Sequence, residues 1–127
     1  MSNAQSPGFI PLQKAIEMTK TYRQNRNEVT NPVYAGKDIL ALSDRFDRKV
    51  FETLLAKPEC VYIRLYYGMD QNMQIRPIVV AVDKDNKDIL PDLSNLEEGG
   101  EGEGDDVGDD TIRCPPICPV PSPLNEP

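Results

Sequence analysis

The segment CVYIRLYYG, residues 60 to 68, decides the fold of this chain. Branched and aromatic residues alternate through it with a period of two, which is typical of a β-strand, and Gly68 lets the chain turn. We expect one face of this strand to be buried and the other to carry larger polar groups. The expected core face comprises Val61, Ile63, Leu65 and Tyr67, and the opposite face comprises Tyr62, Arg64 and Tyr66.

A second strand follows after the short turn MDQN. The segment QIRPIVVAVD, residues 74 to 83, is rich in branched residues, and its Pro77 cannot donate a hydrogen bond to a neighbouring strand. We therefore expect the end of the strand that holds Pro77 to lie at a sheet edge or a bulge. The next turn, KDNK, leads into a short third extended piece, DIL, which Pro91 ends.

Two helices are predicted before this hairpin. Residues 11 to 26 have a thin apolar stripe behind Pro11, and residues 43 to 57 have a stronger one that ends just before Pro58. Ser43, Asp44 or Asp47 could cap the second helix. With that helix covering one face of the strands, the sequence predicts an α+β fold: a small antiparallel β-meander with two helices.

The chain changes character from Asn95 onward. A run rich in Gly, Glu and Asp is followed by a proline-rich end, and such a composition buries too little apolar surface to order itself. We expect three regions: a flexible N-terminus (1–10), a small α+β domain (11–94), and a disordered acidic linker with a Pro/Cys tail (95–127).

The charge of the chain is concentrated in that tail. Residues 97 to 127 hold nine acidic residues against Arg113, whereas the whole chain carries −7, so residues 1 to 96 are almost neutral. A general nucleic-acid binder needs a net basic face, and we expect no nucleic-acid partner. The acidic tail is either solvated or docks on a basic patch of its own chain or of a partner.

The strand face formed by Tyr62, Arg64 and Tyr66 is the first candidate site. Aromatic rings with one guanidinium could make a protein-binding hot spot, or a stacking platform for single-stranded nucleic acid. The simpler interpretation is that these side chains pack inside the domain or pair across strands.

Cys114 and Cys118, in the segment CPPIC, are the second candidate site. They could hold a metal from two sides, close a small disulfide, or remain reduced. Tetrahedral zinc needs four ligands and the chain has no His, so we expect no cofactor, with zinc shared between two copies as the alternative. Cys60 is expected to be a buried apolar residue.

The sequence offers little for catalysis or for membranes. No His can serve as the usual base for a Ser or Cys nucleophile, and no glycine-rich phosphate loop follows a strand, so we expect a protein that is not an enzyme. No apolar run approaches the roughly 20 residues that span a bilayer, and no secretory signal is recognisable. We expect a cytoplasmic protein.

Three segments together resemble a group of small uncharacterised proteins from Bacteroidetes-type bacteria. The segments are LLAKPECVYIRLYYGMDQN, VVAVDKDNKDIL and CPPICPVPSPLN. Members share a C-V-x-I-R-x-Y-Y-G strand and a Cys-Pro-Pro-x-Cys tail, and no function is attached to the group. The resemblance implies a role for Cys114 and Cys118 without naming it.

From these observations we expect a small protein-interaction module, with a protein partner or a homo-oligomer as the means of interaction. The neutral body, the unusual tail and the lack of catalytic groups favour it. The alternative is a metal-binding or redox-linked thiol protein that uses Cys114 and Cys118.

Overall fold

A computed structural model of the chain describes residues 7–91, 106–109 and 111–126. These residues form two α-helices, a 3-10 turn and five strands. The chain divides into two compact units, one made of Met1–Ser43 with Arg113–Pro127 and the other of Asp44–Ile112. In chain order the elements are α1 (Leu12–Asn25), the 3-10 turn (Pro32–Tyr34), β1 (Ser43–Arg45), α2 (Arg48–Leu55), β2 (Tyr62–Met69), β3 (Ile75–Val82), β4 (Val107–Gly108) and β5 (Ile112–Cys114).

The predicted fold class is confirmed. The described residues contain two helices and antiparallel pairing, in a three-stranded sheet of order β2-β3-β4 and a two-stranded sheet of β1 with β5. The predicted hairpin is present, with β2 and β3 paired from Tyr62 opposite Val82 to Met69 opposite Ile75. The third extended piece is reduced to a single bridge between Val82 and Asp88.

The turn that joins β2 to β3 follows the same plan as the turn after β3. Asp70 N donates to Gln74 O at 3.0 Å and Met73 N donates to Asp70 O at 3.1 Å. In the turn after β3, Asp83 N donates to Lys87 O at 2.9 Å in the same way as Asp70 N donates to Gln74 O. In each turn the leading Asp side chain accepts from backbone N–H groups two and four residues later. Asp70 thus stabilises the turn of the β2–β3 hairpin, and Asp83 stabilises the turn after β3, through local hydrogen bonds.

The core of the second unit lies where α2 packs on the sheet. Asp47 caps α2 by accepting from Lys49 N, as the sequence suggested, but the helix is shorter than predicted and Ser43–Arg45 form β1 instead. The buried centre consists of Leu54, Val79 and Ala81, with Phe46, Val50, Phe51, Cys60, Ile63 and Ile89 packed around it. The stripe of α2 therefore faces the strands as expected.

Pro77 lies where its missing N–H causes no loss. Val82 O accepts from Val61 N, on the β2 side, whereas Ala81 O accepts from Ile89 N on the other side. Backbone groups of successive residues in a strand point to alternate sides, so Pro77 N points to the same side as Ala81 O. On that side, within the described residues, β4 pairs with Val79 and Val80 and does not reach Pro77. The prediction that this end lies at a sheet edge is confirmed.

The first unit contains α1, which spans almost the predicted residues. Tyr22 OH donates to Ala41 O, and the Arg26 guanidinium donates to Leu40 O and pairs with Asp38 at 3.2 Å. These bonds join the helix to the segment that precedes β1. Since α1 buries no residue fully, polar contacts of this kind stabilise its position together with partial apolar burial.

The described part of the C-terminal segment differs from the predicted unstructured tail. Within the second unit, β4 pairs with β3, and Lys57 Nζ lies 2.6 Å from Asp106 Oδ1. Arg113 is buried in the first unit, and its guanidinium donates to Asp38 O and Ile39 O. Sequence composition missed these contacts because they arise from single residues that find distant partners rather than from a periodic pattern. The predicted boundary at 94–95 and the acidic linker from 95 to 105 lie outside the described residues.

Candidate functional site

The predicted face of Tyr62, Arg64 and Tyr66 exists on β2. The three residues occupy alternate positions of the strand opposite Val82, Val80 and Ile78 of β3. Tyr62 and Tyr66 are exposed, and Arg64 is half-buried. The period of two in the sequence was therefore sufficient to place these residues on one face.

Two residues of the turn after β3 engage this face. The Arg64 guanidinium donates to Asp88 and to the Asn86 side chain, and Tyr66 OH donates to the other oxygen of Asp88. Hydrogen bonding with Tyr66 and the negative charge of Asp88 raise the pKa of Arg64 above its ordinary value. The charge of Arg64 is thus already paired, which weakens its suitability for a nucleic-acid backbone.

Sequence analysis did not identify Asp88 and Asn86 as members of this face. The signal was present in the spacing of the second turn, because residues just beyond it return beside β3, close enough for the Asp88 side chain to reach Arg64. Asn86 adopts a left-handed backbone with φ of 66°, a conformation that Asn tolerates better than most residues. This conformation allows the turn to bring its polar side chains to Arg64.

The other face of β2 was predicted to be core, and this prediction is wrong for most of its length. Ile63 packs against the core cluster, but Val61, Leu65 and Tyr67 are exposed, and Tyr67 is 82% exposed. The reason is the position of α2. The helix packs mainly on β3, where Leu54 meets Val79 and Ala81, and among the described residues of β2 this core includes Ile63 alone.

The outer edge of β2 has no strand partner within the described residues, because β2 ends the sheet order. Asp70 N donates to Gln74 O across the hairpin. Because backbone groups point to alternate sides along a strand, every second residue before Asp70, from Gly68 back to Tyr62, also directs its N–H and C=O at β3. The N–H and C=O groups of Ile63, Leu65 and Tyr67 point the other way. The edge therefore offers donors and acceptors in the pattern that an added strand requires.

Cys114 and Cys118 are joined in a disulfide, with Cα atoms 4.6 Å apart. Cys114 belongs to β5 and is 3% exposed, whereas Cys118 is exposed. The peptide bonds that precede Pro115 and Pro116 are cis. Of the alternatives that the sequence left open for this pair, the structure contains the disulfide.

Cys60 lies in the other unit and is half-buried against the core, where its Sγ donates to Tyr62 O at 3.4 Å. It does not reach full burial, but it packs among apolar side chains as expected. Among the residues that the structure describes, no three His, Cys, Asp or Glu side chains cluster as they would around a metal ion. The expectation of no cofactor, with zinc shared between two copies as the alternative, stays a prediction.

A cavity of about 540 Å³ lies in the first unit beside the disulfide. Residues of α1, of the segment before β1, and of the C-terminal segment form its walls. Both cysteines line it together with Thr19, Tyr22, Arg23, Leu42, Ser43, Pro119, Ser122, Leu124 and Asn125. No sequence pattern indicated this cavity, because the residues that line it are dispersed along the chain.

Arg23 holds one wall of the cavity in place. Its guanidinium donates to Leu124 O at 2.6 Å and also to Glu126 O. Ser122 N donates to Asn125 Oδ1 at 2.9 Å, which closes a turn in the same segment. The C-terminal residues therefore have a defined hydrogen-bonded path along the end of α1.

Comparison with known proteins identifies no relative: no protein-family model, no curated protein and no solved structure matches the chain. The resemblance to small Bacteroidetes-type proteins therefore stays a prediction. In the part of the chain that the structure describes, neither helix has the length and apolar character needed to cross a bilayer.

Proposed function

We propose that this protein is a small interaction module that associates by adding a strand to the outer edge of β2. The observation that carries the proposal is that β2, eight residues long, ends the sheet formed by the described residues while carrying exposed apolar and aromatic side chains on both faces. Strand addition combines main-chain hydrogen bonds, which give affinity, with side-chain contacts, which give specificity.

The edge lacks the usual features that prevent such pairing. Sheet edges are commonly blocked by proline, by lysine or by a bulge. Between Tyr62 and Met69 there is no proline and no lysine, and the pairing with β3 is continuous. The single charged residue, Arg64, is compensated by Asp88. An uncharged, extended segment is therefore the partner that this edge favours.

A second copy of β2 meets this requirement. Its sequence, YIRLYYGM, is a strand already formed, with apolar and aromatic side chains on both faces and one compensated charge. Two copies related by a two-fold axis would pair their β2 strands antiparallel and join their sheets into one. We therefore propose a second copy of this chain as the occupant of the edge.

The test compares Leu65→Pro with Leu65→Ala. Both variants shorten the side chain, but only proline removes the N–H that points away from β3, so the hairpin bonds are preserved in each. Light scattering after gel filtration, over a range of protein concentrations, should show concentration-dependent dimers for the wild type and for Leu65→Ala. Leu65→Pro should be monomeric.

Amide hydrogen exchange gives a second measurement. The N–H groups of Ile63, Leu65 and Tyr67 should become protected as the wild-type concentration rises. A wild type that is monomeric at every concentration, with these amides exchanging freely, would overturn the second copy as the occupant. A complex with another protein that survives in Leu65→Ala and is lost in Leu65→Pro would keep the edge as the site and replace the occupant.

A further inference from the structure

We propose that the Cys114–Cys118 disulfide is a thiol–disulfide exchange centre, in which a small peptide thiol that carries a free carboxylate enters the adjoining cavity and attacks Cys118. Every group involved belongs to the unit formed by Met1–Ser43 and Arg113–Pro127. The site is separate from the β2 edge in residues and in chemistry, so failure of one proposal leaves the other intact.

The difference in burial between the two cysteines decides which sulfur is attacked. Cys118 is exposed, while Cys114 is almost completely buried within β5. Exchange requires a thiolate to reach one sulfur of the disulfide, and access is one of the factors that sets the rate. An external thiol therefore attacks Cys118, and Cys114 is the sulfur that leaves.

The cavity provides space for such a thiol. Its volume of about 540 Å³ falls in the range of about 300–1,000 Å³ that is usual for small-molecule sites. The two cysteines are part of its lining, so a ligand inside it lies next to the disulfide. The other lining residues mix hydroxyl and amide groups with apolar side chains, as a peptide-like ligand requires: Thr19, Ser43, Ser122, Asn125, Leu42, Pro119 and Leu124.

Arg23 gives the preference for a carboxylate. It lines the cavity, and the bonds to Leu124 O and Glu126 O use two of its five N–H groups. The donors that remain on the guanidinium suit a carboxylate, which accepts charge-assisted hydrogen bonds. Two anchored carbonyls also restrict the side chain, so it is held in place before a ligand binds.

The reaction is balanced in two exchange steps. The thiolate of the peptide attacks Cys118 Sγ, the Cys114–Cys118 bond breaks, and its electron pair leaves on Cys114 Sγ, which takes a proton from solvent. A second thiolate of the same kind then attacks the ligand sulfur of the mixed disulfide, and Cys118 leaves as a thiolate and is protonated. Two ligand thiols have been oxidised to one disulfide, and the cysteine pair has been reduced.

The fold keeps the reduced pair together. Leu42 N donates to Cys114 O at 2.8 Å, which holds Cys114 without using its sulfur. Ile117 N donates to Arg113 O at 3.2 Å across the turn that separates the two cysteines. Because neither bond depends on the disulfide, the thiols stay near each other and the same ligand disulfide can oxidise them again by the reverse steps.

The first experiment uses reduced glutathione as the probe, because it is a peptide thiol with free carboxylates. The oxidised full-length protein is incubated with it, the remaining thiols are alkylated, and mass spectrometry maps each cysteine. We expect glutathione on Cys118 and the alkylating group on Cys114. Adducts mainly on Cys114, or a disulfide that persists in millimolar glutathione while a phosphine reductant opens it, would overturn the proposal.

Single-cysteine variants test which sulfur reacts in the reverse exchange, in which a free cysteine attacks a ligand disulfide. With oxidised glutathione, Cys114→Ser should form a mixed disulfide at Cys118 at least tenfold faster than Cys118→Ser forms one at Cys114. Equal rates in folded variants, checked by circular dichroism, would contradict the assigned roles. Should either variant fail to fold, the wild-type mapping decides the matter.

Arg23→Gln tests the carboxylate preference, with Lys20→Gln on the same helix as the matched control. Arg23→Gln should slow the reaction with glutathione several-fold more than the reaction with 2-mercaptoethanol, which has no carboxylate. Lys20→Gln should change neither rate, because Lys20 does not line the cavity. An equal loss with both thiols in Arg23→Gln would overturn the carboxylate preference and assign Arg23 to holding the C-terminal residues.

Discussion

The backbone of Gly108 lies against Val50, so closely that a Cβ added at Gly108 would come within 2.3 Å of Val50 Cγ1. The same Cβ would lie 3.0 Å from Val79 Cγ2. Gly108 is thus the residue that lets β4 approach both α2 and β3, and it connects a short segment near the acidic run to the core of the second unit.

We expect Gly108→Ala to reduce the free energy of unfolding by roughly 1–3 kcal/mol, the usual cost of overpacking a core. Val50 is branched at Cβ and cannot easily rotate away. Denaturant unfolding of Gly108→Ala, Val50→Ala and the double variant measures the coupling. Because Val50→Ala removes the clashing methyl group, the double variant should lose less than the sum of the single losses. Additive losses would contradict the close packing.

Met73 is expected to be the residue whose replacement stabilises the protein. It has φ of 64° in the turn between β2 and β3, where Asn86 holds the equivalent position in the next turn with φ of 66°. A left-handed conformation costs most residues about 1–2 kcal/mol, and Asn tolerates it better. Met73→Asn should therefore raise the free energy of unfolding by up to about 1 kcal/mol.

The control for this prediction is Gln71→Asn, which introduces the same side chain in the same turn at a residue without positive φ. Surface substitutions of this kind usually change stability by no more than about 0.5 kcal/mol. The change in the free energy of unfolding, measured by thermal and denaturant unfolding, should therefore differ in sign or size between the two variants. If Met73→Asn were no more stable than Gln71→Asn, the Met73 side chain, although exposed, would contribute more than its backbone conformation costs.

The pH dependence of stability should reflect Asp70. The hydrogen bond from Arg76, at 3.0 Å, and the backbone N–H groups of Gln74 and Asn72 lower the pKa of Asp70 in the folded protein. A lowered pKa means that the ionised carboxylate stabilises the fold above the unfolded-state value of about 3.9, and that this contribution is lost as the pH falls through the folded-state pKa.

Asp70→Asn tests this by removing the charge while keeping an acceptor oxygen for the turn. Wild type should be more stable than Asp70→Asn near neutral pH, and the difference should shrink as the pH falls below about 4. Denaturant unfolding at a series of pH values measures it. Asp85→Asn, at a carboxylate with no ion pair to a described residue, should show a smaller difference. A stability difference between wild type and Asp70→Asn that stays constant with pH would contradict the prediction.

The sequence predicted the hairpin and the helix on it because both depend on local periodicity. Branched and aromatic residues alternate through the β2 segment, β3 is rich in branched residues, and α2 has an apolar stripe behind Asp47. The same reasoning erred on Leu65 and Tyr67, because burial depends on how much of a strand a neighbouring helix covers. Periodicity says which residues share a face and does not say whether that face is covered.

The second candidate site was predictable only in part. Cys-Pro-Pro-Ile-Cys indicated a disulfide as one of several alternatives, but the burial of Cys114 depends on β5, whose three residues have no signal of their own. The cavity beside the disulfide depends on Arg23 and Leu124, about a hundred residues apart in the chain, being joined by a hydrogen bond. Such long-range contacts follow from the assembled fold, and a single sequence does not specify them.

Opening the disulfide should destabilise the first unit by a modest amount. Only three residues separate Cys114 from Cys118, and the chain-entropy estimate for a loop that short is about 2 kcal/mol. Amide exchange of the α1 residues Tyr22 and Arg23 reports on this unit, since their side chains bind Ala41 O and Leu124 O. Reduction should raise their exchange rates, while amides of β3, in the other unit, should change less.

The Cys114→Ala/Cys118→Ala double variant is the control that separates loss of the cross-link from any effect of the reductant. Its exchange rates should match those of the reduced wild type, apart from the cost of removing the buried Cys114 sulfur. Reductant added to the double variant should then have no effect. If α1 exchanged at the same rate in oxidised wild type, reduced wild type and the double variant, the disulfide would contribute nothing to this unit, and the hydrogen bonds of Tyr22, Arg23 and Arg113 alone would hold it.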